Sequence, residues 1–162
     1  MTLVRPVRPD DLPALLALIA DHAAYERAAP VPPGLGDRLA PALFADPPRL
    51  RCLVADDTGI LVGYATWTRD FATWTGRHYT HLDCLYLAED HRGRGVGRQL
   101  LDAVVAAADG DELQWQTPAW NTDAQRFYQR LGARAAEKVR FTLPSGGVRI
   151  ANRHADIRPR ST

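Results

Sequence analysis

Two features of residues 82–108, LDCLYLAEDHRGRGVGRQLLDAVVAAA, are of types and spacing that could do chemistry. The first is Asp83, a carboxylate inside an apolar run, with Leu82 before it and Cys84 and Leu85 after it. A charge in a central strand is costly unless it is paired or used. Asp83 therefore reads either as a base or electrostatic anchor for a cationic substrate, or as half of a structural ion pair with an arginine. The second is Gly93-Arg94-Gly95-Val96-Gly97, which follows that run and opens directly into a helical pattern. Strand, glycine turn and helix together present backbone N–H groups to a phosphate, with the positive end of the helix behind them. Glycines allow the close approach, and Arg92, Arg94 and Arg98 add charge or are simply solvated.

Other readings of the turn are weaker. No Gly-Lys-Ser/Thr follows, so it is not a Walker A loop. The spacing is G-x-G-x-G with no acidic residue ~20 positions on, which makes a poor dinucleotide fingerprint. An arginine-glycine nucleic-acid segment would be disordered rather than set between a strand and a helix. A tight turn that binds nothing stays open on the pattern alone.

The rest of the chain must position these residues. A short strand is expected at 3–8, then a helix at 12–27 capped by Asp10 and Asp11, with Pro13 in its first turn. His22, Tyr25 and Glu26 fall in its last turns. A proline-rich loop at 29–36 precedes a second helix at 37–44. Residues 50–55 and 60–69 read as a hairpin of the bulged or four-residue kind, and 70–77 as a polar, aromatic loop containing Trp74. Strand 79–87 is apolar enough from Leu82 on to be central. After the turn, Leu100, Leu101, Val104, Val105 and Ala108 mark a buried helical face, closed by Gly110. A fifth strand is expected at 113–117, a helix at 123–131 behind the capping box Thr122-x-x-Gln125, and one or two strands at 134–143. This order predicts an α/β (α+β) domain: a mixed, mostly antiparallel sheet of six or seven strands with helices on both faces. One domain spans 1–143, and 144–162 is a short strand or loose tail.

With 162 residues, 46% of them hydrophobic, and a net charge of +1, the chain suits one globular domain and no polyanion partner. No signal-type leader is visible, nor any run near the ~20 apolar residues of a membrane span. Cys52 and Cys84 read as buried reduced thiols, which points to the cytoplasm. His78-x-x-His81 beside Asp83 is the sole metal candidate, and no metal is expected, because His78 lies off the face that His81 and Asp83 share.

At Arg92-Gly93-Arg94-Gly95-Val96-Gly97 the sequence resembles the GCN5-related N-acetyltransferases, whose phosphate signature is Arg/Gln-x-x-Gly-x-Gly/Ala. A second block agrees: Trp120-Asn121, then Phe127-Tyr128, then Leu131-Gly132. Ala24-Tyr25-Glu26, Val62-Gly63-Tyr64-Ala65, Trp74-x-Gly-Arg77 and Leu82-Asp83 further resemble the diamine (spermidine/spermine-type) branch.

The resemblance implies acetyl-CoA as co-substrate, its pyrophosphate on the amides of residues 92–98. The pantetheine arm would lie along the backbone of Leu85, Tyr86 and Leu87 opposite 115–117, with Asn121 touching it. An N–H near Leu85 would polarise the thioester. Tyr128 would be the general acid for the leaving sulfur, while Phe127 reads as core. Asp83 stands where the branch carries a glutamate thought to take the amine's proton. Tyr25, Glu26, Trp74, Asp83 and Cys84 would bind the acceptor. The branch's next acidic residue is Cys84 here, which puts a long polyamine in doubt. The expected activity is direct acetyl transfer to the primary amine of a small molecule, a diamine or an aminoalkyl amino acid, by a homodimer. Acetylation of an aminoglycoside, a peptide or a protein N-terminus is the alternative, as is a non-catalytic CoA-binding module.

Overall fold

The computed structural model describes residues 1–143, which fall into two compact units, Met1–Asn121 and one that begins at Thr122. The first holds β1 (Thr2–Pro6), α1 (Leu12–Tyr25), α2 (Leu35–Phe44), β2 (Arg51–Asp57), β3 (Ile60–Ala72), β4 (Arg77–Leu87), α3 (Val96–Ala107) and β5 (Glu112–Gln114). The five strands make one sheet in the order β1-β2-β3-β4-β5. The first four are antiparallel to their neighbours, and β5 runs parallel to β4.

Strand alternation sends successive side chains to opposite faces and so builds two cores. On one face Cys52, Val54, Tyr64 and Tyr86 pack with Leu15 and Leu18 of α1 and Leu43 of α2. The other face carries Ala55, Ala65 and Leu82, and α3 lies across β1 to β4 with Leu100, Leu101 and Val104 buried. Each fully buried leucine of these cores contributes about 1.5–3 kcal/mol.

The β2–β3 loop has two residues, Thr58 and Gly59, both at positive φ (55° and 94°), as a two-residue hairpin of the I′ kind requires. The register shifts between Ala55 and Asp56, so the hairpin is bulged. Half of the residues expected as a loop at 70–77 are strand, with 73–76 forming the turn: Asp70, Phe71 and Ala72 pair with Tyr79, His78 and Arg77. That end is held by polar contacts within β3 and across to β4, which leave no apolar alternation to read. Thr68 Oγ1 (3.0 Å) and Tyr79 OH (3.4 Å) both donate to the Asp70 carboxylate. Asp11 precedes α1 but does not cap it with its side chain. Its carboxylate is occupied by the Arg5 guanidinium (2.7 and 2.9 Å) and the Arg8 N–H (2.7 Å).

Gly63 is required by packing. A Cβ there would lie 2.7 Å from the Tyr86 carbonyl oxygen and 2.7 Å from Leu87 Cδ1. Gly63→Ala must push β3 off β4 and is expected to destabilise the protein by about 1–3 kcal/mol, read as a lower denaturation midpoint. An unchanged midpoint would show that the two strands part freely.

In the second unit α4 spans Thr122–Arg130, and Gly132 at φ 87° ends it. The strands expected at 134–143 are not formed. Val139, Phe141 and Leu143 have the strand period but stand exposed, and an extended segment becomes a strand only where a neighbour takes its backbone hydrogen bonds. The sheet of the described residues therefore has five strands rather than six or seven. The expected tail at 144–162 lies outside the described residues.

Candidate active site

The backbone of β4 organises the site. β4 pairs with β5 only at Tyr79, Thr80 and His81, opposite Glu112, Leu113 and Gln114. Beyond His81 the pairing stops, and among the described residues no strand fills the gap beside the edge of β4 from Leu82 to Leu87. On its other side β4 stays paired with β3 through Leu87. Ala88 N–H donates to the Val62 carbonyl at 2.8 Å. Antiparallel residues alternate between exchanging bonds with the partner and pointing away from it. Ala88, Tyr86 and Cys84 therefore turn their amides to β3, and Leu85 and Leu87 turn theirs to the gap. Of the three residues expected to serve a cofactor arm through the backbone, Leu85 and Leu87 offer donors and acceptors to it. Tyr86 instead contributes its ring to the opposite face.

Where the gap opens, β4 carries a bulge. Thr66 pairs with Cys84 and Trp67 with Leu82, so Asp83 is the extra residue. A bulge breaks the alternation and re-aims a side chain. Asp83 and Cys84 consequently both line a cavity on the α1/α2 face, and Asp83 is exposed to it rather than buried in the sheet. The cost expected for a carboxylate in a central strand is avoided in this way. Cys84 Sγ donates to Asp83 Oδ2 at 3.7 Å.

The cavity measures about 130 Å³. Its walls are Leu15 and Ile19 of α1, Leu35, Leu39 and Leu43 of α2, and Leu50. Tyr64 and Thr66 of β3 complete the side that holds Asp83 and Cys84. Burial pushes the Cys84 thiol up to about 11, with the Asp83 charge acting in the same direction. At neutral pH Cys84 is thus a protonated thiol and a poor acyl acceptor. Cys52 is likewise a free thiol, pushed up to about 12 by burial.

A polar-aromatic cluster stands behind this cavity. His22 Nδ1 lies 2.8 Å from Tyr64 OH, its ring stacks on Tyr86 at 4.9 Å, and Nε2 is 3.4 Å from Glu26. Burial lowers the His22 pKa, partly offset by Glu26 and Asp83. The unfolded chain therefore binds this proton first, and stability falls as pH drops below the ordinary histidine value of about 6.5. His22→Gln is expected to flatten that acid-side loss when urea unfolding is followed from pH 7.5 to pH 5. An unaltered slope would assign the loss to other groups.

Arg92 joins this cluster to the glycine turn. Its guanidinium lies 4.4 Å over the Tyr25 ring, and Nε donates to the Leu87 carbonyl at 3.0 Å. Its own amide is bonded to the Glu89 carbonyl, so the amides left for an anion begin at Gly93. Gly93 and Gly95 take φ of 74° and 82°, a region that glycine enters without strain. The first helical bond of α3 runs from Gln99 N–H to the Gly95 carbonyl, so the amides of Val96, Gly97 and Arg98 have no acceptor within the helix. Arg94 is exposed on the turn, and Arg98 is paired with Asp102 at 2.7 Å. This amide-rich turn at the end of the open strand edge fits a pyrophosphate with an arm running back along Leu87 and Leu85.

Asn121 is buried and accepts a hydrogen bond from Tyr25 OH at 3.4 Å, while the Tyr25 ring meets Trp120 edge-on at 6.0 Å. Tyr25 and Glu26 are thus tied to the cluster around His22 and are not cavity walls. Trp74 is not brought to the cavity either: it is fully exposed at the tip of the β3–β4 hairpin. Tyr128 lies on α4 with its ring 5.2 Å from that of Phe127. Sequence reasoning missed Thr66, Tyr64 and His22 as parts of the site. The available signal was spacing, since Tyr64 and Thr66 share a strand face and His22 stands one turn before Glu26. Among the described residues no group of three or more histidines, cysteines or carboxylates could hold a metal ion, and no helix is long and apolar enough to cross a membrane.

A mixed sheet whose fourth strand bulges and then ends in an amide-rich glycine turn is suited to an acyl-CoA-dependent acyltransferase. Residues 18–133 match the acetyltransferase (GNAT) family, and the chain belongs to it: it is an N-acetyltransferase whose acyl donor is acetyl-CoA. The chain is 38% identical over 138 residues to phosphinothricin N-acetyltransferase of Alcaligenes faecalis, covering 82% of this chain and 67% of that one. It is 29% identical to thialysine N-epsilon-acetyltransferase of Sus scrofa, covering 82% and 84%. Among solved structures, an aminoglycoside N-acetyltransferase in complex with CoA shares the fold at a TM-score of 0.73 and 22% identity, over 90% of this chain and 95% of that one.

Proposed function

We propose that this N-acetyltransferase acts on the primary amine of a small molecule, a short diamine or an aminoalkyl amino acid, by direct transfer within a ternary complex. The observation that carries this reading is the coincidence on β4 of the bulge at Asp83 with the start of the open edge. One short segment thereby offers a carboxylate to an ammonium and, two residues on, an N–H at Leu85 to a thioester oxygen. Acetyl-CoA supplies the activated acetyl group. Asp83 holds the ammonium and takes its proton, directly or through water, so that the amine lone pair can form the new C–N bond. The Leu85 amide stabilises the oxyanion as the C–S bond breaks, and Tyr128 gives its proton to the departing sulfur. The protonated thiol of Cys84 supports transfer without an acyl-enzyme.

The curated relatives act on thialysine and phosphinothricin, both small molecules, which supports an acceptor of that size. The family match runs through both compact units, which supports reading residues 1–143 as one catalytic domain. A homodimer in the cytoplasm belongs to the same proposal and rests on the branch resemblance and the free thiols. The test is release of free thiol from acetyl-CoA with a panel of small amines, with initial rates measured against both substrates. Intersecting reciprocal plots and an unmodified protein mass are expected. CoA binding without turnover of any amine would overturn the enzyme assignment, and acetylated Cys84 would overturn direct transfer.

A further inference from the structure

The cavity beside Asp83 is far more apolar than a diamine or amino-acid acceptor needs. Leu35, Leu39 and Leu43 stand four residues apart on α2 and form one ridge of its surface. Leu43 is buried in the core and Leu39 packs against it, as the ridge of an amphipathic helix ordinarily does, yet all three leucines also line an open-sided space of about 130 Å³. Asp83 is the one carboxylate in the lining. A second ammonium entering this space would be stripped of water among leucines with no counter-charge, at a cost of several kcal/mol. An uncharged aliphatic group would gain by the same transfer. The volume sets the size: an apolar cavity of about 150 Å³ accepts benzene, so this one suits a compact group of about four to six carbons.

A second observation marks where the polar end of the ligand goes. Thr66 is only 4% exposed, and its Oγ1 has no hydrogen-bond partner among the described residues. Cys84 pairs with Thr66 across the two strands and lines the same wall of the cavity. A buried hydroxyl without a partner costs about 1–3 kcal/mol, and this one lines the cavity next to Asp83. Carboxylate and hydroxyl together offer two acceptors to the N–H groups of one ammonium, with the leucine wall beyond them.

We propose that this cavity is the specificity pocket for the apolar part of the acceptor. The preferred acceptors then pair a single primary ammonium, held at Asp83 and Thr66, with a compact uncharged aliphatic group. This rests on the amine-acetylation reading above and departs from it on the acceptor, placing unbranched diamines below alkylamines of equal length.

The experiment measures kcat/KM with acetyl-CoA for ethylamine, 3-methylbutylamine and 1,5-diaminopentane. Each methylene buried in the pocket is expected to raise kcat/KM about fourfold. 3-Methylbutylamine should therefore exceed both ethylamine and the diamine at least tenfold. Leu39→Trp fills the space and should lower the 3-methylbutylamine to ethylamine ratio at least tenfold. Leu39→Ala enlarges it and should shift preference to 2-cyclohexylethylamine. A variant that merely lost stability would lower all acceptors alike, so the opposite movements of the two ratios separate pocket from fold. A diamine equal to or better than the alkylamine, or ratios unmoved in both variants, overturns the pocket while amine acetylation stands. If propionyl- and butyryl-CoA respond to the Leu39 variants and the acceptor ratio does not, the cavity belongs to the acyl chain and the proposal is wrong. If no amine in the set releases thiol, the reading of the reaction fails and the pocket falls with it.

Discussion

Tyr128→Phe is expected to lower kcat about 10²–10³-fold while the KM for acetyl-CoA stays within about threefold, the range a positioned general acid supplies. The tetrahedral intermediate can expel either amine or thiolate. A proton delivered to sulfur as the C–S bond stretches biases the choice toward products. A phenol is a neutral donor at physiological pH, so it offers this proton without adding charge near a developing oxyanion. Phenylalanine keeps the ring, and with it the packing against Phe127. The pH profile carries the decision. The wild-type rate should fall on the alkaline side as the phenol ionises, and the variant should lack that limb. Full activity of Tyr128→Phe across the alkaline range would remove Tyr128 from the chemistry.

How far the site could be read beforehand depended on where its information lies. Gly93 and Gly95 declare themselves, because a positive φ at a strand-to-helix turn selects glycine in the sequence itself. The leucines of α1 and α2 also declare a face by their period. They do not declare that part of this face lines a cavity rather than a core, since a stripe of leucines reads the same in either setting. Asp83 was legible as an anomaly, but its meaning was not. Period-two alternation places it in the strand interior, and the bulge that exposes it depends on the register between Thr66 and Trp67 opposite. Register is a property of two strands, so neither strand alone encodes it. The same limit explains residues 70–77, where pairing rests on Asp70, Thr68 and Tyr79, and residues 134–143, whose alternation is strand-like without a partner. Thr66 escaped notice for a further reason. A threonine in a strand is ordinary, and what distinguishes this one is a hydroxyl left without a hydrogen bond.

Asp83→Asn is expected to lower kcat/KM for the amine about 10–100-fold near neutral pH. The estimate follows from replacing a charge-assisted contact, worth about 1.5–3 kcal/mol, by a neutral one. Among the described residues Asp83 accepts a hydrogen bond from the Cys84 thiol and no arginine forms an ion pair with it, which speaks against a structural ion pair. Because Asp83 is exposed, the variant should unfold within about 0.5 kcal/mol of the wild type. A large loss of stability would return it to a structural role. The pH dependence then divides the two remaining roles. If Asp83 acts as an anchor, the loss falls on the KM of the amine and persists while the substrate is an ammonium. If it acts as the base, the loss falls on kcat and shrinks toward alkaline pH, where more of the amine arrives neutral and needs no acceptor for its proton. Asp83→Glu keeps the charge but lengthens the arm by one carbon at the mouth of a cavity of about 130 Å³. It should recover much of an anchoring role and less of a base's, because Coulomb attraction falls gently with distance and proton transfer requires hydrogen-bond contact.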